Sequence, residues 1–233
     1  MNSIILNDNS GVITDQRTID HIHQTLKLAL GDIVKITILN TGTGTGIVKS
    51  LNFTSCQIDI LEIHPQINPW FDLIIGASRP QTTKKIIEHA TTFGANSFNF
   101  YKATLSEKSY LDSKIFEMDS VNELINLGLS QSAIYSKVPD FNLYKYNPAD
   151  KFQHYEEKYI LDINGKHSFL DEKIDFSKPI AISVGPERGF ASEDLANFTN
   201  AGFKSIKISK TILRVEHAVY ATIAQLEMLR RNF

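Results

Sequence analysis

Residues 179–218 read PIAISVGPERGFASEDLANFTNAGFKSIKISKTILRVEHA, and the fold turns on how this stretch divides. The apolar run Ile180 to Val184 is expected to be a buried strand that stops at a turn from Gly185 to Gly189. A helix should follow. Ser192 suits its N-cap, Glu193 and Asp194 its first turn, and Gly202 its end. A second strand, Lys204 to Ile208, then leads through a polar turn into a long helix running to the C-terminus. Strand–turn–helix–strand–turn–helix is the edge of an α/β sheet, where ligands bind outside the carboxyl ends of the strands.

Working outward, 233 residues suffice for one large domain or two ordinary ones, and 42% hydrophobic with 21% charged residues describes a soluble globular chain. A single cysteine, Cys56, cannot form an internal disulfide and reads as a core residue, so a reducing, cytoplasmic setting is expected. The opening MNSIILNDNSG lacks the basic and apolar regions of a signal peptide, and no apolar run reaches the roughly 18 residues of a membrane span. A net charge of −2 argues against coating nucleic acid by bulk charge. From 200 to 233, however, six basic residues (Lys204, Lys207, Lys210, Arg214, Arg230, Arg231) face two acidic ones (Glu216, Glu227), a local excess of +4. That excess is either anion-facing or a solvated helix end.

Residues 1 to about 64 look β-rich, with a strand at Ile33 to Leu39, two short runs between Ile47 and Ile63, and one helix near Ile19 to Leu30. The string TGTGTG, residues 41–46, is followed by Ile47-Val48-Lys49, a strand and not the helix a dinucleotide loop requires. It reads as a flexible hairpin turn. A boundary is expected at His64 to Pro69, dividing the chain into 1–66 and 67–233. Beyond it come a buried strand, Phe71 to Gly76, a helix over RPQTTKKIIEHATTFG ended by Gly94, a strand at Ser97 to Tyr101 and a helix around Val121 to Leu127. Residues 138–158 look aromatic and irregular, and Tyr159 to Ile163 makes a strand. Strands alternating with helices imply a mostly parallel sheet.

The chemistry is narrowed first by exclusion. His21-x-His23 has no ligand-spaced Cys, Asp or Glu beside it, so no metal site is expected. No Gly-x-Ser-x-Gly elbow supports a serine hydrolase.

GPERGF and ILRVEHA, with HIHQTLKLALGDIVKI, RPQTTKKIIEHATTFGA, LSEKSY and LGLSQSAIYSKVP before them in order, resemble the family of small-subunit ribosomal RNA methyltransferases that modify N3 of a uridine in 16S rRNA. That family is a branch of the SPOUT class. The resemblance runs over nearly the whole chain. It implies an N-terminal PUA-like β-barrel that binds RNA and a C-terminal SPOUT α/β domain tied in a deep trefoil knot, an exception to the rule that chains avoid knots. It implies S-adenosylmethionine as cofactor, 16S rRNA in the small ribosomal subunit as partner, a homodimer, and neither membrane nor metal. By position, the cofactor would be held by Leu161, Asp162, Gly185, Pro186, Glu187, Gly189, Ile208, Thr211, Ile212 and Leu213. Glycines at 185 and 189 would let the backbone approach it, and Ile208, Ile212 and Leu213 would line an apolar slot for adenine. Arg214 and Glu216 are the catalytic candidates, Arg214 to hold a uracil oxygen or a phosphate. A salt bridge from Arg214 to Glu216 or Glu187, and an anchoring role for Glu216 in the last helix, are the structural alternatives.

Where the family usually has glycine this chain has Arg188, and Val215 and His217 replace small residues; His217 is read as packing at the helix start. Lys108 and Ile134 stand where the family has arginine. Two other readings share the sequence: the same scaffold acting on another RNA position, and a catalytically weak RNA-binding or ribosome assembly protein. A nucleotide-binding module built on TGTGTG is disfavoured by its missing helix.

Overall fold

The computed structural model describes residues 2–230, and the counts below refer to those residues; Arg231 of the basic stretch lies outside them. They form two compact units, one built from the chain up to 69 together with 126–138, the other from 70–125 and the described residues from 139 onward.

The first unit contains β1 (Ile4–Leu6), β2 (Val12–Ile13), α1 (Gln16–His21), β3 (Ile33–Ile38), β4 (Gly42–Leu51) and β5 (Cys56–Pro65). Its five strands follow the order β1-β3-β4-β5-β2, parallel at β1–β3 and antiparallel elsewhere. Register shifts at Thr45/Gly46 and Val48/Ser50 mark bulges that add twist to the long β4–β5 pair and bend the sheet toward a barrel. Leu6, Ile36, Ile38, Val48, Cys56 and Ile58 fill its concave side, and Ile19 and Ile22, both fully buried, join them from the helix. Each such isoleucine contributes about 1.5–3 kcal/mol. The helix starts earlier than expected because the Asp15 carboxylate accepts the Thr18 N–H at 2.8 Å and caps it. It ends through a π turn over Ile22–Leu26, closed by left-handed Lys27.

The TGTGTG string is not a turn. Gly42 to Gly46 form the start of β4, paired on one side with β3 and on the other with β5, while the turn falls on 39–41 with Asn40 at φ 55°. Alternate glycines serve close approach. A Cβ on Gly44 would lie 1.9 Å from the Glu62 carbonyl oxygen, and one on Gly42 2.1 Å from that of His64.

The chain continues with β6 (Phe71–Gly76), α2 (Pro80–Thr92), β7 (Ala95–Tyr101), α3 (Met118–Ser132), β8 (Asp140–Tyr144), β9 (Glu157–Leu161), β10 (Ile180–Val184), α4 (Ser192–Asn200), β11 (Lys204–Ile206) and α5 (Val215–Arg230). The six strands of the second unit follow the order β11-β9-β10-β6-β7-β8, and every pairing is parallel. Both β6 and β10 are buried along their whole length, as central parallel strands must be. The α2 helix opens with Pro80, buries Ile86, Ile87 and Ala90, and ends before left-handed Gly94. It packs against α5, which buries Val215, Val219, Ile223 and Leu226.

Two local expectations are corrected in this unit. Residues 140–144, read as irregular, are the edge strand β8; with Leu143 exposed and its neighbours half-buried, the stretch lacks the apolar run of a central strand. Ser192 is the first helical residue of α4 and not its cap; Ala191 holds the cap position without a side-chain bond. Among the described residues, no helix is long and apolar enough to cross a membrane.

Candidate active site

Three neighbouring parallel strands, β11, β9 and β10, end at the same edge of the sheet: Ile206 pairs with Leu161 and Ser183 with Ile160. The segments that follow them, from Asp162, Gly185 and Lys207, therefore emerge side by side. This edge gathers Leu161, Asp162, Gly185, Pro186, Glu187, Gly189 and Ile208 from distant parts of the sequence, with Thr211, Ile212 and Leu213 following in the third segment.

Each segment is held by its own hydrogen bonds. The Asp162 N–H donates to the Ile206 carbonyl at 2.9 Å, and its carboxylate accepts the Asn164 N–H at 2.9 Å and the Ser205 hydroxyl at 3.1 Å. The Lys207 N–H donates to the His167 carbonyl at 2.8 Å. In the second segment Gly189, at φ 75°, donates its N–H to the Pro186 carbonyl at 2.8 Å and tightens the turn. In the third, Gln225 of α5 donates to the Ile208 carbonyl at 3.0 Å, and Ser209 and Thr211 bond each other. Ile212 is 85% exposed, with Leu161, Ile208 and Leu213 half-buried. An apolar side chain so exposed beside a rigid backbone turn is available to a ligand.

Glu187 turns toward α2, its carboxylate accepting the Arg79 N–H at 2.7 Å just ahead of the first helical residue. A carboxylate at that end of a helix meets unpaired N–H groups and the positive end of the dipole. Arg214 lies immediately before α5, its carbonyl accepting the Ala218 N–H at 2.8 Å. Its side chain is exposed, and among the described residues its guanidinium has no hydrogen-bond or ion-pair partner. Neither salt bridge considered for it forms.

Glu216 is placed differently. Its side chain is buried and pairs with Lys85 of α2 at 3.3 Å. Burial pushes its carboxyl up, but its own backbone N–H, the Lys85 ammonium and His217 outweigh that and hold it below the ordinary carboxylate range. These are the contacts of an anchor between α2 and α5. His217, by contrast, is exposed and does not pack, because the first turn of α5 directs Glu216 inward instead. Glu216→Gln should therefore cost about 1–3 kcal/mol of stability at neutral pH. A depressed pKa contributes stability above the unfolded value, near 4.5, and loses it as pH falls through the folded value. Urea unfolding of both proteins at pH 7 and pH 3.5 checks this: the gap should narrow in acid, and a gap independent of pH would exclude the ionised pair as its source.

Two further residues shape this edge and are not among the site residues expected from sequence. Gly76, ending β6, lies so near the second segment that a Cβ on it would stand 2.6 Å from Pro186 Cδ and 2.8 Å from Pro186 N. Arg79 supplies the N–H that Glu187 holds. A glycine closing a buried strand was the available signal for the first; the second has no local signal. Among the described residues, no group of three or more His, Cys, Asp or Glu is placed to hold a metal ion.

Comparison with known proteins bears on both fold and chemistry. A Borreliella burgdorferi protein named ribosomal RNA small subunit methyltransferase E 1 is 31% identical over 154 residues, which cover 64% of this chain and 63% of that protein's length. A Treponema pallidum ribosomal RNA small subunit methyltransferase E is 25% identical over 223 residues, 88% of this chain and 80% of the relative. Among solved structures, ribosomal RNA small subunit methyltransferase E from Neisseria gonorrhoeae, bound to S-adenosyl methionine, superposes with a TM-score of 0.84 at 20% identity over 98% of each chain. That likeness shows the same fold and agrees with the expected architecture, a barrel-like β sheet followed by an α/β domain built on a parallel sheet. The family model described as RNA methyltransferase domain matches residues 66–227, a span that takes in every segment of this edge, and the chain belongs to that family.

Proposed function

We propose that this protein is an S-adenosylmethionine-dependent methyltransferase acting on ribosomal RNA of the small subunit, with N3 of a uridine in 16S rRNA as its target. The observation that carries the reading is the convergence of three tightly bonded segments on one sheet edge, next to an unpaired Arg214, inside the span matched by the RNA methyltransferase family. The relatives' names point to small-subunit rRNA, and the Neisseria gonorrhoeae structure points to the cofactor.

The residues present fit that cofactor. A Cβ on Gly185 would stand 3.2 Å from the Gly189 carbonyl carbon and the Phe190 nitrogen, so the backbone closes tightly on itself there. Leu161, Ile208, Ile212 and Leu213 offer apolar surface for adenine, and the strand-end N–H and carbonyl groups serve its polar edges. Asp162 and Glu187 hold the segments in shape through their own hydrogen bonds. When bound, S-adenosylmethionine supplies a methyl group on a positively charged sulfur.

What remains for the chain is to place a uracil ring and manage its N3 proton. Loss of that proton leaves negative charge spread over N3 and the flanking oxygens. Arg214, with a free planar guanidinium fork, neutralises that charge and orients the ring. The carboxylates of Asp162, Glu187 and Glu216 are all engaged elsewhere, so the proton passes to water. Glu216 is then a positioning residue, fixing the start of α5 on which Arg214 sits.

In this reading residues 1–66 form the RNA-binding domain and 67–233 the methyltransferase domain. The protein works in the cytoplasm as a homodimer, which would cover the exposed apolar side chains Ile163 and Leu170.

Calorimetric titration with S-adenosylmethionine, followed by labelled-methyl transfer to small ribosomal subunits, tests the proposal. One site per chain and label in 16S rRNA are expected. Methylation at N3 blocks base pairing, so primer extension should halt beside the modified uridine. No binding up to millimolar cofactor would defeat the methyltransferase reading; label without a halt would defeat the N3 assignment alone.

A further inference from the structure

The turn between β4 and β5 displays an aromatic ring that the fold itself does not use. Phe53 is 81% exposed, yet its backbone is firmly held. Asn52 Oδ1 accepts the Thr54 N–H at 2.9 Å and the Ser55 N–H at 2.8 Å, as well as both of their hydroxyls. The Asn52 N–H donates to the Ser55 carbonyl at 3.0 Å, and Gln16 of α1 donates to the Phe53 carbonyl at 3.2 Å. One face of the Phe53 ring stacks on His23, with centroids 5.2 Å apart and planes 22° from parallel. His23 is oriented in turn by a 3.0 Å bond to the Asn52 carbonyl, an acceptor, so Nε2 carries the donated hydrogen. The result is a preformed two-ring stack with its outer face open.

We propose that this stack is a binding platform for one unpaired base of the substrate RNA. Three considerations favour a nucleobase. Single-stranded RNA is recognised by stacking its splayed bases on aromatic side chains. A ring already backed by a parallel partner and held on a rigid turn loses little entropy on accepting a third. The unit's charge argues against the alternative route through phosphates. Its described basic residues are Arg17, Lys27, Lys35, Lys49 and Lys137, its acidic ones Asp8, Asp15, Asp20, Asp32, Asp59 and Glu62, so five against six leaves −1. Lys49 is moreover paired with Asp59 at 2.7 Å. A unit without surplus cations must take hold of RNA through bases more than through its backbone.

The inference rests on RNA being the substrate, and the test separates the two claims. Phe53→Trp should show fluorescence quenching when a ten-nucleotide adenosine-rich single-stranded RNA is added without cofactor, beyond any change in the unaltered protein, whose single tryptophan, Trp70, is buried. Phe53→Ala should raise KM for small ribosomal subunits by roughly 5- to 150-fold, the range spanned by stacking of one base, and Phe53→Tyr should restore it. The kcat and the affinity for S-adenosylmethionine should not move. An unchanged KM overturns the platform while leaving the methyltransferase reading intact. A raised KM with no quenching by RNA also overturns it, since the ring would then be meeting protein. Failure of the methyltransferase reading shows separately, as absence of cofactor binding by the unaltered chain.

Discussion

Arg214→Ala is expected to lower kcat for methyl transfer to RNA by two to three orders of magnitude, on the order of the loss of one preorganised charge-stabilising group, while cofactor affinity stays within about twofold. The separation follows from where the side chain is and is not engaged. Its guanidinium holds no partner among the described residues, so truncation breaks no structural contact. The hydrogen bond that starts α5 uses the Arg214 carbonyl, which alanine retains. The two acids that could have claimed the side chain are committed elsewhere, Glu216 to Lys85 and Glu187 to the Arg79 N–H. A charged fork left unpaired beside a proposed anionic transition state is where catalytic binding energy is most simply stored. Arg214→Lys should recover part of the rate, since charge returns without the planar pair of donors. Rapid-quench kinetics with saturating cofactor would check the split. An unchanged kcat removes Arg214 from the mechanism, and a parallel loss of cofactor binding would make it a pocket residue.

The contrast between Arg214 and Glu216 shows what a sequence can and cannot convey. Strands β6 and β10 were legible to the residue because a buried parallel strand is a short unbroken apolar run, and the stops at Gly94 and Gly202 because left-handed backbone favours glycine. Parallel strands put the segments after Leu161, Val184 and Ile206 at one edge, so the candidate site followed from the fold. What failed had its cause across space. Gly44 and Gly42 of TGTGTG answer to the carbonyls of Glu62 and His64 on the next strand, and no local pattern records that. In α4, Asp194 was read as helix-start chemistry, yet it accepts the Thr104 N–H at 3.0 Å, from a loop 90 residues away. The partners of Glu187 and Glu216 lie 108 and 131 residues distant. Residue types at a site are local information; their division of labour is set by neighbours that only the fold supplies.

Gly76→Ala should weaken S-adenosylmethionine binding by about tenfold or more, equivalent to about 1.4 kcal/mol, although Gly76 is none of the residues expected to touch the cofactor. The added methyl would stand 2.6 Å from Pro186 Cδ, 2.8 Å from Pro186 N and 3.1 Å from Ala103 Cβ. No real Cβ tolerates the first two, and Pro186 N is backbone, so no side-chain rotation relieves the clash. Two things can yield. Strand β6 is paired on both sides, with β10 and β7, and buried throughout, so moving it disturbs the centre of the sheet. The turn after β10 is attached less broadly: the Gly189–Pro186 hydrogen bond lies within it, and the contact of Glu187 with Arg79 ties it to the start of α2. The turn should move, by several tenths of an ångström, and take the backbone of Gly185 to Gly189 out of register with the neighbouring segments. Overpacking of this kind also costs about 1–3 kcal/mol of stability, so the variant must be measured where it is still folded. Calorimetric titration at 15 °C together with a urea unfolding curve separates the two effects. Lower stability with an unchanged Kd would mean that the sheet absorbs the methyl and that the turn is positioned independently of β6. A weakened Kd in a folded protein would establish that the close approach of Gly76 to Pro186 sets the position of the turn, and with it the shape of the pocket.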